Sequence, residues 1–192
     1  MGSPEYDMMR TNQLMQQVLE KRDAAKVIEI VNANRPDYML PDKNYLMGGW
    51  FEEWMYLCIK KELSLKNSHI GINLKIKNQA SQKRSESDNE IDIAFVYRNN
   101  LYIIECKVYF NKQVNAKKIT DVIYKISSVR QSLGLKASAM TAILASFGKS
   151  PARQTAINDI SRMAQVKAVF SLEDFKNRQY FFELLKKILN YE

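Results

Sequence analysis

A β-hairpin is predicted by residues 90–109, which read EIDIAFVYRNNLYIIECKVY. Two runs rich in β-branched and aromatic side chains, residues 91–97 and 101–108, flank the tripeptide Arg-Asn-Asn at positions 98–100. Asparagine tolerates the positive φ angles of a tight turn, so this tripeptide is a suitable place for the chain to reverse. The segment is therefore interpreted as two antiparallel strands.

Charged side chains are expected to meet on one face of this hairpin. Because side chains alternate along a strand, Glu105 and Lys107 share a face, whereas Cys106 points the other way and is predicted to be a buried core thiol. A two-residue turn allows two registers, which place Asp92 opposite either Glu105 or Lys107. In both registers the three charged residues lie on the same face, and a slip of one residue would separate them.

Two carboxylates beside a lysine suit a hard divalent cation. Buried charge is costly unless it is paired or bound to metal, and Mg²⁺ prefers oxygen ligands, including one or two protein carboxylates and phosphate oxygens. The predicted cofactor is Mg²⁺ or Mn²⁺. Lys107 would orient or deprotonate an attacking water, or stabilise charge that develops on phosphorus. The alternative is a solvated strand end with one surface ion pair.

Composition limits the class of protein. A chain of 192 residues that is 46% hydrophobic and 26% charged predicts a globular protein with a full core. It contains no apolar run of membrane-spanning length and no recognisable signal peptide. Two cysteines and one histidine exclude a disulfide framework and a Cys/His zinc site, and they favour a cytoplasmic protein. The net charge of +8 fits a polyanionic partner such as nucleic acid, although many basic proteins bind none.

Hydrophobic periodicity predicts the remaining elements. An N-terminal leader, residues 1–43, contains one amphipathic helix over residues 11–34 with Thr11 as a possible N-cap, and it is expected either to dock on the main domain or to be the end of a longer protein. The main domain is predicted over residues 44–192. Its helices are predicted at 45–61 (capped by Asn44), 115–133, 151–163 and 172–189 (capped by Ser171, with Asp174 three residues on), and its further strands at 70–77, 139–146 and 166–170.

The predicted order from residue 45 to residue 146 is α-β-β-β-α-β, with the charged residues on the second and third strands. This order and the Asp…Glu-x-Lys pattern together resemble the PD-(D/E)XK nuclease superfamily. The resemblance implies an α/β, restriction-endonuclease-like αβββαβ core with a central mixed sheet flanked by helices. It also places Asp92, Glu105 and Lys107 at the catalytic motif positions.

Two consecutive glutamates on the first core helix are candidates for a further metal ligand. Helix periodicity places Glu52 and Glu53 symmetrically about the apolar face, so it does not choose between them. In the PD-(D/E)XK superfamily a helical glutamate often follows Gly-x-x-Phe, and this spacing favours Glu52. Gly48 and Gly49 within the helix would be costly, so they suggest a close approach of another element or of substrate. The alternative is that both glutamates are solvated.

A closer resemblance joins four short motifs, which are GGWFEE at 48–53, NEID at 89–92, ECK at 105–107 and YK at 124–125. They resemble the nuclease half of the CRISPR-associated ancillary nucleases of type III systems, over roughly residues 44–146. The resemblance implies Glu52, Asp92, Glu105 and Lys107 as catalytic residues, the first three as metal ligands, and Lys125 as a further site residue. It also implies a homodimer and a sensor domain that binds cyclic oligoadenylate, for which this chain is too short.

Basic residues outside the hairpin are candidate nucleic-acid contacts. Lys83 and Arg84 lie in a polar loop, residues 78–89, that leads into the Asp92 strand, and Lys118 and Lys125 lie on one flank of the helix at 115–133. A solvated loop explains Lys83 and Arg84 at least as well, and a charged helix flank such as that of Lys118 and Lys125 is usually a solvated one. The function predicted is a metal-dependent nuclease that acts on DNA, RNA or both, as a CRISPR-associated or other defence effector. The alternatives are a DNA-repair or restriction-type endonuclease, and a non-catalytic nucleic-acid-binding domain.

Overall fold

A computed structural model describes residues 8–20, 45–76, 89–109, 114–133, 137–148 and 150–190 of the chain. The helices are α1 (Met8–Glu20), α2 (Trp50–Glu62), α3 (Ala116–Ser132), α4 (Pro151–Met163), α5 (Leu172–Phe175) and α6 (Arg178–Asn190). The strands are β1 (Ile70–Ile76), β2 (Asn89–Tyr97), β3 (Asn100–Val108), β4 (Ser138–Leu144) and β5 (Val166–Phe170). A π-helical turn, Tyr45–Gly49, leads into α2, and a 3-10 turn, Asn67–His69, precedes β1.

The five strands form one mixed sheet in the order β1-β2-β3-β4-β5. The first three are antiparallel, and β4 and β5 continue the sheet in parallel with β3. One apolar cluster packs α1, α2, α5 and α6 on one face, and a second packs α3 and α4 on the other. The predicted α-β-β-β-α-β order and the mixed sheet between helices are confirmed. No helix within the described ranges is both long and apolar enough to cross a membrane.

The leader helix docks on the main domain. Leu14 is fully buried in the core cluster of α2, and Trp54 Nε1 donates a hydrogen bond of 3.0 Å to Asn12 Oδ1. The prediction of Thr11 as N-cap is wrong, because α1 begins at Met8 and the Thr11 hydroxyl donates to the Met8 carbonyl inside the helix. The predicted remainder of this helix, residues 21–34, lies outside the described residues, as do Asn44, Lys83 and Arg84.

The helix predicted at 172–189 is two helices. The capping box of Ser171 and Asp174 is confirmed, with the Ser171 N–H donating to Asp174 Oδ2 at 2.8 Å. The chain then breaks because Asn177 Oδ1 accepts the Tyr180 N–H at 3.0 Å and caps a new helix. The apolar periodicity continues across Asn177, so it gave no sign that a new helix begins there.

Alternation along the strand predicted at 70–77 places Ile70, Ile72, Leu74 and Ile76 on the core face, and the structure agrees with this only in part. Leu74 is 41% exposed, although alternation placed it in the core. β1 is an edge strand, and Asn73 takes a positive φ of 53°, which interrupts the regular alternation of side chains just before Leu74.

Candidate active site

The hairpin register brings Asp92 and Glu105 face to face. Arg98 and Asn99 form a two-residue turn with φ angles of 50° and 65°, and the two strands pair from Tyr97 and Asn100 as far as Ile93 and Ile104. Asp92 therefore lies opposite Glu105, which is the first of the two predicted registers. Asp92 Oδ2 accepts the Cys106 N–H at 2.7 Å. The Asp92 carboxylate thus provides the acceptor that a backbone carbonyl provides in a regular strand pair.

Glu105 is the centre of the charged cluster. It is fully buried, and its Oε1 accepts Lys107 Nζ at 2.7 Å and Lys125 Nζ at 2.5 Å. Lys107 Nζ also lies 3.6 Å from Asp92 Oδ2. The side chains of Lys107 and Lys125 are 35% and 44% exposed. Both lysines therefore contact the buried carboxylate and solvent at the same time. α3 thus contributes Lys125 to the cluster directly.

Cys106 confirms the assignment of the two faces. It is 2% exposed and packs in the core cluster on the α2 side of the sheet. Burial raises its pKa well above the ordinary thiol value, and the nearby carboxylates of Asp92, Glu52 and Glu105 add to the effect. It is an inert core thiol, as predicted.

The two helix glutamates have different surroundings. Burial raises the pKa of Glu52 to about 7, and the charges of Asp92 and Glu105 add to the shift while Lys107 opposes it. Glu52 is therefore part of the same electrostatic cluster. Glu53 is 3% exposed, and its Oε2 accepts the Tyr45 hydroxyl at 2.7 Å. The interpretation of Glu53 as a solvated side chain is wrong, because the π-helical turn that carries Tyr45 covers it.

The glycine pair explains how this geometry arises. Gly48 and Gly49 precede α2, at a kink between the π-helical turn and the helix, so they do not lie inside an α-helix as predicted. A methyl group on Gly48 would meet Val108 Cγ2 at 4.0 Å, which is ordinary contact. Among the described residues no other element therefore approaches Gly48 closely, and the close approach of substrate stays a prediction. The kink instead places Glu52 and Glu53 in the first turn of α2, where the helix dipole favours carboxylates.

The cluster carries more negative than positive charge. Burial raises the pKa of Asp92 to about 6, and Glu105 adds to the shift, whereas Lys107 and the Cys106 N–H oppose it. Burial lowers the pKa of Lys107, but the attraction of Asp92 and Glu105 outweighs burial and leaves that pKa above its usual value. Three carboxylates therefore share two ammonium groups, and a divalent cation would relieve the remaining repulsion.

One oxygen of Glu105 is suited to a metal ion. Glu105 Oε2 is buried and has no hydrogen-bond partner among the described residues, and such an atom is costly to leave unsatisfied. Within the described residues, no three carboxylate, thiol or imidazole side chains converge as a ready metal site. Glu105 Oε1 is instead directed at the two lysines, so an ion would require the carboxylates of Glu52, Asp92 and Glu105 to turn toward it. The donor set fits Mg²⁺ or Mn²⁺ in chemistry.

Two residues near the cluster were missed by the sequence analysis. Tyr109 continues the face of Glu105 and Lys107, and it lies under Lys118, whose Nζ is 5.5 Å from the ring centre. Lys118 itself is therefore not brought to Glu105 as Lys125 is. Thr141 lies opposite Glu105 on β4 and is fully buried. Strand alternation would have found Tyr109, whereas Thr141 depends on the pairing of β3 with β4.

The comparison with known families defines the class of protein, which is an endonuclease domain. The Card1-like endonuclease domain family matches residues 41–170, more than half of the chain, and the chain belongs to this family. No match is found among curated proteins.

Two solved structures share the fold. Protein VC1899 from Vibrio cholerae is 17% identical, with a TM-score of 0.63 over 97% of this chain and 58% of that one. Can2 from Sulfobacillus thermosulfidooxidans, solved in complex with cyclic tetra-adenylate, is 19% identical, with a TM-score of 0.56 over 97% of this chain and 57% of that one. The chain thus spans less than two thirds of the length of either protein.

Glutamine substitutions should separate the roles of the two helix glutamates. We expect Glu52→Gln to lower the cleavage rate at least about tenfold, which corresponds to about 1.4 kcal/mol of barrier. Glu53→Gln should leave the rate near that of the parent but lower the melting temperature slightly, because the amide oxygen still accepts the Tyr45 hydroxyl but the hydrogen bond is no longer assisted by a charge. Steady-state cleavage and thermal melts measure the two effects. The opposite ranking of the two cleavage rates would transfer the ligand role to Glu53.

Proposed function

We propose that this endonuclease domain depends on Mg²⁺ or Mn²⁺ and hydrolyses phosphodiester bonds of DNA, RNA or both. The observation that carries the proposal is a fully buried glutamate, Glu105, that has one unsatisfied oxygen and lies opposite Asp92 and beside Lys107. Buried charges are paired or coordinate metals, and clusters of titratable groups of this kind concentrate at functional sites. Glu52, Asp92 and Glu105 would hold the ion.

Each residue has a distinct proposed role. The bound ion would lower the pKa of a water molecule and polarise the scissile phosphate. Asp92, anchored by the Cys106 N–H, would keep its carboxylate fixed at the open end of the hairpin. Lys107, held as an ammonium by two carboxylates, would donate a hydrogen bond to the attacking water or to a phosphate oxygen. Lys125 would compensate charge on Glu105 and contact the substrate backbone.

The substrate is proposed to be nucleic acid on the basis of charge as well as family. A net charge of +8 favours a polyanion. Lys118 and Lys125 on α3 are exposed near the cluster, and Lys83 and Arg84 precede the Asp92 strand in sequence. These four side chains are proposed backbone contacts, which would add affinity without base preference.

The biological setting is proposed to be CRISPR-associated defence in the cytoplasm. Membership of the Card1-like family supports this setting, and Can2, which shares the fold, was solved with cyclic tetra-adenylate. The chain spans 57% of the length of Can2, so a sensor domain for a cyclic oligonucleotide is proposed outside this sequence. A homodimer is proposed as the active form.

Cleavage of labelled oligonucleotides tests the proposed function. Single- and double-stranded DNA and RNA would be incubated with Mg²⁺, with Mn²⁺, and with excess chelator. We expect at least one substrate to be cut internally with either metal and none with chelator. Binding without cleavage under all conditions would favour a non-catalytic nucleic-acid-binding domain, and cutting restricted to duplex or branched DNA would favour a repair or restriction-type enzyme.

A further inference from the structure

Thr141 is a buried polar residue in the middle of a central strand. All seven residues of β4, SAMTAIL, are buried, and Thr141 is fully buried at the middle of the strand. Its hydroxyl has no hydrogen-bond partner in the part of the chain that the structure describes. An unpaired hydroxyl in such a place costs free energy relative to an apolar side chain of the same shape, so its presence calls for a reason.

The strand register places this hydroxyl beside the charged cluster. In the parallel pairing of β3 with β4, Thr141 is the partner of Glu105. Paired residues of adjacent strands share a face, and the preceding pair of this face, Ile103 and Ala139, packs in the cluster with α3. On its other side Thr141 pairs with Val169, which is apolar. Glu105 is therefore its polar cross-strand neighbour.

Glu105 and Thr141 could form a hydrogen bond with each other, because one has a free acceptor and the other a free donor. Glu105 Oε2 is buried without a donor, and Thr141 Oγ1 is buried without an acceptor. Neighbouring strands lie about 4.8 Å apart, so a hydroxyl and a carboxylate on paired residues of one face are within reach of each other. As positioned, Glu105 turns its other oxygen, Oε1, to Lys107 and Lys125.

We propose that Thr141 is a positioning residue for the metal ligand Glu105. A carboxylate oxygen has two lone pairs, so Glu105 Oε2 would accept a hydrogen bond from the Thr141 hydroxyl and still be able to bind a divalent ion. This bond fixes the carboxylate plane, in the way that outer partners orient metal ligands generally. The inference rests on the proposed function, because it assigns Thr141 a role only if Glu105 holds a metal ion.

Two matched pairs of side chains isolate the hydroxyl. Threonine and valine differ by a hydroxyl in place of a methyl group, and serine and alanine differ by the hydroxyl alone. The full chain would be prepared as the parent and as Thr141→Val, Thr141→Ser and Thr141→Ala. Ser161→Ala is the control, because Ser161 is a buried hydroxyl on α4 that donates to the Ile157 carbonyl outside the cluster.

Calorimetric titration with Mn²⁺ and thermal melts in chelator give the readouts, with cleavage as a third. We expect Thr141→Val to weaken Mn²⁺ binding about tenfold without lowering the metal-free melting temperature. Thr141→Ser should stay within about threefold of the parent in Mn²⁺ affinity, and Thr141→Ala should bind about tenfold more weakly than Thr141→Ser. Ser161→Ala should bind Mn²⁺ like the parent. The serine and alanine variants repeat the comparison with and without the hydroxyl. The role of Thr141 can therefore be tested even if the valine variant folds poorly.

The contrary results are distinct. In one, the parent binds Mn²⁺ and cleaves nucleic acid while Thr141→Val binds Mn²⁺ like the parent and Thr141→Ala binds it like Thr141→Ser. That result would refute the role of Thr141 and leave the proposed function standing. Equal losses in the serine and alanine variants would also refute it, since packing of the methyl group would then be responsible. A parent that neither binds Mn²⁺ nor cleaves would overturn the proposed function and this inference together.

Discussion

Lys107→Ala is expected to reduce cleavage about a thousandfold while nucleic-acid affinity changes by no more than a few-fold. Lys107 Nζ contacts Glu105 Oε1 at 2.7 Å and lies 3.6 Å from Asp92 Oδ2, yet about a third of the side chain is exposed to an incoming substrate. A positioned charged donor of this kind contributes mainly in the transition state, and losing one typically costs a hundredfold to about a thousandfold. Binding loses only one phosphate contact among several.

The matched control is Lys176→Ala, which removes a lysine that pairs with Glu173 at 2.6 Å on α5, outside the cluster. Its cleavage rate should equal that of the parent. Single-turnover cleavage and fluorescence anisotropy of a labelled oligonucleotide separate rate from affinity. Full activity in Lys107→Ala would contradict the role of Lys107 and would transfer it to Lys125, whose Nζ contacts the same oxygen of Glu105.

Asp92→Asn is expected to abolish both Mn²⁺ binding and cleavage without unfolding the protein. The amide removes a charged ligand oxygen, but its carbonyl oxygen still accepts the Cys106 N–H that Asp92 Oδ2 accepts at 2.7 Å. Calorimetry with Mn²⁺ tests the first part, and cleavage assays test the second. Parent-like Mn²⁺ affinity in this variant would place the metal site elsewhere in the chain.

The same variant should show a pH-dependent gain in metal-free stability. Burial and Glu105 raise the pKa of Asp92 to about 6 from an ordinary value of 3.8. A carboxyl group with a raised pKa in the folded state costs stability as the pH rises from the unfolded value toward the folded one, and the cost is constant above it. In chelator, Asp92→Asn should therefore melt higher than the parent at pH 7.5, and the difference should shrink as the pH falls from 6 to 4. A variant that melts lower than the parent at pH 7.5 would contradict this electrostatic assignment.

The hairpin was predictable because its information is local. Alternation places Glu105 and Lys107 on one face and Cys106 on the other, and a two-residue turn restricts Asp92 to two registers. The structure adopts one of them, with Asp92 opposite Glu105. The helix and strand order followed from periodicity for the same reason.

The rest of the cluster depends on contacts that are distant in sequence. Glu52 and Glu53 are equivalent by helix periodicity, and they differ only because the turn before α2 brings Tyr45 to Glu53. Lys125 was assigned to a flank of α3, but its distance from Glu105 depends on how that helix lies on the sheet. The position of Thr141 opposite Glu105 follows only from the parallel pairing of β3 with β4. Hydrophobic periodicity and short motifs do not predict contacts between residues that are distant in sequence.

Location of Mn²⁺ by anomalous diffraction tests the central claim most directly. Crystals of the parent grown with Mn²⁺ should show an anomalous peak bonded to carboxylate oxygens of Asp92 and Glu105, with Glu52 as the next nearest carboxylate. Crystals of Asp92→Asn grown in the same way should show no peak there. A parent peak bound to other side chains, or parent crystals that show no peak at the cluster although the same preparation cleaves with Mn²⁺, would contradict the claim that these carboxylates form the metal site.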